Sequence, residues 1–285
     1  MRRPQNPADL VRLDIKSLRH ISRVTGYPLV YSTVSLDRAA ALLEAASVHQ
    51  ADEEAPEFCL ALTFDPHLIS RAVYRGFFPM TITVWEVPIM ALKLHTERCL
   101  VRPSDVITSR SVRRRARRYV CTINQRQADV LTFIRNRHED CWLSPQLWRS
   151  FCAIDEASAD HHGMRIFSFE VWDSETGRLA AAELGYTLGG IYTSLTGAFD
   201  RRFSGAGAVQ LAVTGALIQQ CGFACWDLGM EMDYKRAMGG QQMPRQQWKE
   251  HVARLRSGST AAPLVLDEPM NCRELIDQAS AARGH

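Results

Sequence analysis

Six residues, Arg202-Phe203-Ser204-Gly205-Ala206-Gly207, stand between a strand-like stretch and the apolar run AVQLAVTGALIQQCG, which reads as a helix. Glycines at such a junction let the backbone approach a ligand closely, and free N–H groups at a helix start attract a phosphate or a developing oxyanion. Gly205 and Gly207 are therefore candidate ligand contacts, with Arg201 and Arg202 as neighbouring cations. A glycine-rich turn before a helix also serves plain packing, so the loop alone defines no site. Asp227 closes the short strand-like FACWD at the end facing the loop. A carboxylate capping a turn has the same sequence appearance. Thr196 offers a hydroxyl from the preceding strand, although threonine is also a good strand former. Glu231, Asp233 and Lys235 follow closely.

The second feature is cationic. SRSVRRRARRYV, residues 109 to 120, puts six arginines into nine positions. On a helical projection Arg110, Arg113, Arg114, Arg117 and Arg118 follow i, i+3, i+4, i+7, i+8, with Val112, Ala116 and Tyr119 opposite. Formal net charge is only +3, so an anionic partner must meet a local patch, and this stripe suits phosphates.

The surrounding elements must position these residues. LDRAAALLEAASV (36–48) reads as a helix, followed by the acidic linker HQADEEAPE. In FDPHLISRAVYRGFFP, Asp65 suits an N-cap, Pro66 the first turn and Gly76 the stop. Thr81 to Cys99 reads as irregular, with room for one strand. YVCTIN reads as a strand, QADVLTFIRNRHE and SPQLWRSFCAIDEAS as helices. Three strands follow His162, separated by turn signals at Glu175-Thr176-Gly177 and Gly189-Gly190. PRQQWKEHVARLR is a basic helix, and residues 257–285 read as a tail without a core of its own. The Arg-rich start, interrupted by Asp9 and Asp14, reads as an extension, with an organelle-targeting segment as the alternative. No apolar run approaches the roughly 18 to 20 residues of a membrane helix. The eight scattered cysteines form no C-x-x-C pair and suit reduced, buried thiols rather than a zinc site. His161-His162 reads as an exposed loop pair with no role.

Arg-x-x-Gly-x-Gly between strand and helix is similar to the pyrophosphate loop of GNAT-fold acyltransferases. The ordered set YRGFFP, ITSRSVRR, CWLSPQL, FSFEVWDSETGRLAAAELGYTLGGIY, GAFDRR, WDLGM and MGGQQMPRQQW resembles the leucyl/phenylalanyl-tRNA–protein transferases, from about Phe58 to about Arg256. The resemblance implies an α+β fold: a GNAT-like domain over 104–256, a smaller N-terminal domain over 58–103, an extension over 1–57 and a C-terminal tail over 257–285. It implies transfer of Leu or Phe from charged tRNA to the N-terminal α-amine of an acceptor protein, marking it for degradation in the cytoplasm. No cofactor, metal or membrane enters.

The resemblance also distributes roles. Asp227 keeps the family Asp and, with Thr196, is the catalytic expectation, while Thr196, Gly229 and Met232 stand where the family carries Glu, Gln and Asn. Trp142 and Phe199 match family aromatics; PIMALKL lacks the family's tryptophans. Met232-Asp233-Tyr234-Lys235 resembles the Met-x-Tyr-Lys of arginyl-tRNA–protein transferases, which adds Tyr234 and Lys235 to a substrate-binding set of Trp142, Phe199, Arg201, Arg202, Gly205 and Gly207. The arginine stripe is the expected tRNA contact. Two other readings stay open: a CoA-dependent N-acetyltransferase, and a tRNA-binding relative that has lost catalysis with the missing Glu and Gln.

Overall fold

The computed structural model describes residues 15–49, 56–61, 63–84, 87–139, 141–257 and 261–282. The first fourteen residues of the extension, and 50–55 of the acidic linker, lie outside the described residues. The chain forms two compact units. The smaller takes the described residues up to Thr96 with Trp142–Ala153, and the larger takes Glu97–Cys141 with Ile154 onward.

The smaller unit runs α1 (Ile15–Thr25), β1 (Leu29–Val30), α2 (Thr33–His49), β2 (Phe58–Ala61), α3 (Pro66–Tyr74), β3 (Phe78–Val84) and β4 (Val87–Lys93). Its sheet has the order β1-β2-β4-β3, so part of the expected extension is built into a folded unit. α3 begins as its sequence dictates: the Asp65 carboxylate accepts from Leu68 N–H at 2.8 Å, and Pro66 occupies the first turn. The chain leaves it through Gly76 at φ 94°, a left-handed conformation that only glycine adopts cheaply. The stretch expected to be irregular instead carries most of β3, all of β4 and the start of the next strand. β4 is an interior strand, and its run Ile89-Met90-Ala91-Leu92 is buried throughout, which removes the alternation that marks a half-exposed strand. Trp142 packs edge-on against Phe78 in this unit, with ring centroids 4.8 Å apart.

The larger unit continues with β5 (Glu97–Val101), α4 (Arg110–Ala116), β6 (Tyr119–Ile123), α5 (Gln127–Arg135) and α6 (Pro145–Glu156), along which the chain passes between units. Then come β7 (Arg165–Asp173), β8 (Leu179–Leu188), β9 (Ile191–Phe199), α7 (Ala206–Gln220), β10 (Cys225–Asp227), α8 (Asp233–Ala237), β11 (Gln241–Pro244), α9 (Arg245–Arg256), β12 (Met270–Asn271) and α10 (Cys272–Ala281). The sheet order is β11-β5-β10-β9-β8-β7-β6-β12, antiparallel except for the β9–β10 pair that α7 connects. α7 is apolar on nearly every face because it is covered on several sides, packing on the sheet, α4 and α10.

Three readings need correction here. Residues beyond 257 are not a coreless tail: β12 pairs with β6, and Cys272, Leu275, Ile276 and Ala279 of α10, spaced i, i+3, i+4, i+7, are buried in the main core. α4 stops at Ala116, so Arg117 is its C-cap and Arg118 lies in the turn beyond, outside the helical stripe. His161 is buried within a short 3-10 turn, its carbonyl accepting from Met164 N–H where the chain reverses into β7.

Two local features open a cavity in this sheet. β10 pairs only with Ile191–Thr193, the first residues of β9, so the rest of β9 is uncovered on that side among the described residues. In β9 itself, Leu184 pairs with Thr196 but Gly185 with Ser194, leaving Leu195 as an extra residue, a bulge that re-aims the strand.

Candidate active site

The far half of β9, the first turns of α7, and Leu228, Tyr234 and Lys235 enclose a cavity of about 620 Å³. Its mouth carries two exposed rings, Phe199 (51% accessible) and Tyr234 (48%). Its closed end carries Glu183 of β8, only 2% accessible, with Gln210 of α7. Gly197 stands opposite Glu183 in the β8–β9 register, so the residue facing it on β9 puts no side chain over the carboxylate, while Phe169 faces it from β7.

Glu183 anchors a buried polar network. Its Oε1 accepts from Tyr192 Oη at 2.8 Å and Ser194 Oγ at 2.6 Å, and its Oε2 accepts from Gln210 Nε2 at 2.5 Å. Gln210 Nε2 also donates to Thr214 Oγ1 at 2.9 Å, and Trp226 Nε1 donates to Ser194 Oγ at 2.9 Å. Burial raises the Glu183 carboxyl above its ordinary range, while the bonds from Ser194, Tyr192 and Gln210 pull it back. Gly185 makes room for this: a Cβ there would stand 2.2 Å from Tyr192 Oη.

Lys235 enters from α8. Its Nζ donates to the carbonyls of Leu228 at 2.5 Å and Met230 at 2.8 Å. Burial lowers its pKa, with nearby Cys99, Asp227 and Glu183 opposing. Across the cavity, Gly205 is the N-cap of α7 at φ 76°, and Gly207 and Ala208 in the first turn line the wall. A Cβ on Gly207 would lie 2.9 Å from Phe199 Cδ1, and one on Gly205 would lie 2.6 Å from Arg115 Cδ. Arg115, outside the expected stripe, thus crosses the glycine loop.

Of the expected site residues, Thr196, Phe199, Gly205, Gly207, Tyr234 and Lys235 meet at this cavity. Asp227 is not part of its lining among the described residues. It is 3% accessible, ion-paired with buried Arg98 at 3.2 Å, and its Oδ1 accepts from Gly229 N–H at 2.9 Å, as a turn-capping carboxylate does. Gly229 then carries the chain at φ 74° between the two carbonyls that hold Lys235. Arg202 grips Asp200, its Nη2 2.5 Å from Oδ2 and its Nε 3.0 Å from Oδ1, while Arg137 reaches the same carboxylate at 3.0 Å. The Arg202 hydrogen bonds hold Asp200 far below the usual carboxylate range. Arg201 is exposed, and Trp142 belongs to the smaller unit.

The arginine block divides. Arg113 is held by Ser280 at 2.5 Å and Asp277 at 3.5 Å, and Arg118 by Asp173 at 2.5 Å. Arg110, Arg114 and Arg117 are exposed and make no ion pair among the described residues.

Glu183, Tyr192, Ser194 and Gln210 are the members that sequence reasoning missed. The available signal was polarity out of place: a glutamate inside AAAEL and a glutamine inside AVQLAV, both in runs otherwise made for burial.

The fold and cavity define an α+β protein with a ligand-sized, polar-ended cleft where a strand, a glycine loop and a helix N-terminus meet. The family model for leucyl/phenylalanyl-tRNA protein transferase matches residues 100–253. A Ruegeria pomeroyi protein named leucyl/phenylalanyl-tRNA–protein transferase is 29% identical over 235 residues, covering 77% of this chain and all of that protein. Namesakes from Aromatoleum aromaticum (29% over 205 residues; 70% and 81% covered) and Desulforapulum autotrophicum (26% over 202; 68% and 82%) agree. The chain belongs to the leucyl/phenylalanyl-tRNA–protein transferase family.

Proposed function

We propose that this protein moves an amino acid from charged tRNA to the N-terminal α-amine of an acceptor protein, in the cytoplasm, marking the acceptor for degradation. One observation carries the reading: every residue lining the cavity, from Glu183 to Lys235, lies inside the segment that matches the family. In this reading the larger unit is a GNAT-like acyltransferase domain, with the parallel β9–β10 pair splitting where the ester binds.

The reaction is aminolysis of an ester already activated when the tRNA was charged. An α-amine with a pKa of about 7.7 to 8.0 is partly neutral at pH 7 and can attack unaided. The first-turn N–H groups of Gly207 and Ala208 have no intrahelical acceptor and stabilise the tetrahedral oxyanion. Thr196 adds a hydroxyl hydrogen bond at the ester. Lys235, two of its three N–H bonds fixed on carbonyls, offers the third to the leaving ribose oxygen, burial making that proton easier to give, and the proton shed by the attacking nitrogen restores the ammonium. Asp227 acts as a positioning residue, setting the Gly229 turn that tethers Lys235. Phe199 and Tyr234 flank the terminal nucleoside at the mouth, and Arg110, Arg114 and Arg117 take tRNA phosphates.

The test is transfer itself, without ATP: tRNA charged with radiolabelled Leu, Phe, Met or Arg, and peptides beginning Arg, Lys, Asp, Glu or Met. Label on one peptide class is the expected result. Tight tRNA binding with no label on any peptide would return the chain to a tRNA-binding relative. A melting temperature raised by acetyl-CoA, and not by charged tRNA, would return it to the acetyltransferases. Leucyl and phenylalanyl, the expected donors, are the groups in the relatives' names.

A further inference from the structure

We propose that the closed end of the cavity selects a donor amino acid with a cationic, hydrogen-bond-donating side chain, arginine or lysine, and that Glu183 is the specificity-determining residue. The proposal rests on the transferase reading for what enters the cavity. A donor side chain longer than alanine must extend into the closed end, because the ester has to remain near the α7 first turn and the mouth, where tRNA and acceptor arrive.

The hydrogen-bond inventory of that end is one-sided. Tyr192 Oη and Ser194 Oγ both spend their protons on Glu183 Oε1. Gln210 Nε2 spends its two on Glu183 Oε2 and Thr214 Oγ1. A carboxylate offers about four acceptor sites, and three are filled, which leaves one on Oε2. The Gln210 carbonyl oxygen accepts no hydrogen bond among the described residues, although the side chain is 95% buried by its 5% accessibility. What remains for a guest is therefore acceptor capacity and negative charge. Lys235 is the opposing cation, but its Nζ is drawn toward the carbonyls of Leu228 and Met230. Leu195, Leu211 and Leu228 supply the apolar wall along which the methylene stem of arginine or lysine lies.

A leucyl or phenylalanyl side chain would cover this carboxylate and return no hydrogen bond. Sites built around a substrate hydrogen bond reject analogues lacking it by up to about 10⁴- to 10⁵-fold. Three protein donors already serve Glu183, so the expected preference is smaller, on the order of 10- to 100-fold.

The experiment measures binding apart from transfer. Arginyl-, lysyl-, leucyl- and phenylalanyl-adenosine with a 3′-amide in place of the ester are titrated calorimetrically into the full chain, Glu183→Gln and Glu183→Leu. The expected order puts the cationic analogues at least about 10-fold ahead in the native protein. Glu183→Gln, which keeps the shape and much of the network, should shrink that lead, and Glu183→Leu should reverse it. Leucyl or phenylalanyl analogues binding as tightly as arginyl in the native protein would overturn the proposal. So would a cationic preference untouched by both substitutions. The parallel transfer assay separates the two failures: a cationic binding preference without transfer to any peptide sinks the transferase reading alone, whereas efficient leucyl transfer with the cationic analogues bound no tighter sinks this one alone.

Discussion

Removing the Asp227 carboxylate leaves a buried guanidinium, Arg98, without the carboxylate 3.2 Å away, and frees the Gly229 N–H. Breaking a buried pair from one side costs about 3 kcal/mol or more. Asp227→Ala is thus expected to lower the urea midpoint substantially and, by loosening the turn that tethers Lys235, to lose transfer while tRNA affinity in filter binding is kept. A midpoint shift worth under about 0.5 kcal/mol, the range of an ordinary surface substitution, would deny Asp227 its structural role. The sequence marks Asp227 as a group capable of chemistry but not which of its two readings holds, because that depends on Arg98, more than a hundred positions away. Glu183 was hidden by pairing rather than by distance. Its partners Tyr192, Ser194 and Gln210 come from another strand and a helix, and only the bulged β8–β9 register brings them to one carboxylate.

Those partners are placed by elements whose own signals vary in strength. β7, β8, β9 and α7 are legible because glycine turns punctuate them: Gly177 at φ 64° and Gly189 at φ 57° sit where the hairpins close. β4 is not, since an interior strand has no exposed face to alternate with. β12 and α10 are not, since their partners β6 and α7 lie far back in the chain. The bulge is illegible for the same reason: register belongs to a pair of strands. Gly185 tests the register directly. Its absent side chain admits the Tyr192 hydroxyl, and an alanine Cβ would also meet Thr193 O at 2.7 Å. Neither neighbour can yield cheaply, one being backbone and the other locked on Glu183. Gly185→Ala is expected to cost about 1 to 3 kcal/mol in chemical denaturation. Gly207→Ala, by contrast, presses first on the exposed Phe199 side chain, whose ring swings aside with little loss. Equal losses from both changes would mean that the β8–β9 packing is looser than the hydroxyl-to-Cβ distance requires.

At the scale of the molecule, a chain with net charge +3 meets a polyanion through whatever cations are not already spent. The sequence shows a dense arginine block but not how its members are committed. Arg113 is pinned to Asp277 and Ser280 of α10, and Arg118 to Asp173 at the end of β7, so both hold the fold together. Arg110, Arg114 and Arg117 remain exposed, and in the proposed function they are the residues that meet tRNA phosphates. Each phosphate neutralised contributes about 0.7 to 0.9 to the slope of log affinity against log salt. Reversing those three to Glu should therefore weaken tRNA binding at low salt and flatten the slope by about 2 to 3, with thermal stability little changed. Arg113→Glu should behave in the opposite way. Facing Asp277 with a second carboxylate, it should loosen α10 and lower the melting temperature, while shifting the salt slope by no more than one contact. A triple reversal that leaves the slope unchanged would remove the arginine block from the tRNA path and return it to ordinary solvated surface. A single Arg113 reversal that flattens the slope by as much would mean that this ion pair opens to receive the nucleic acid.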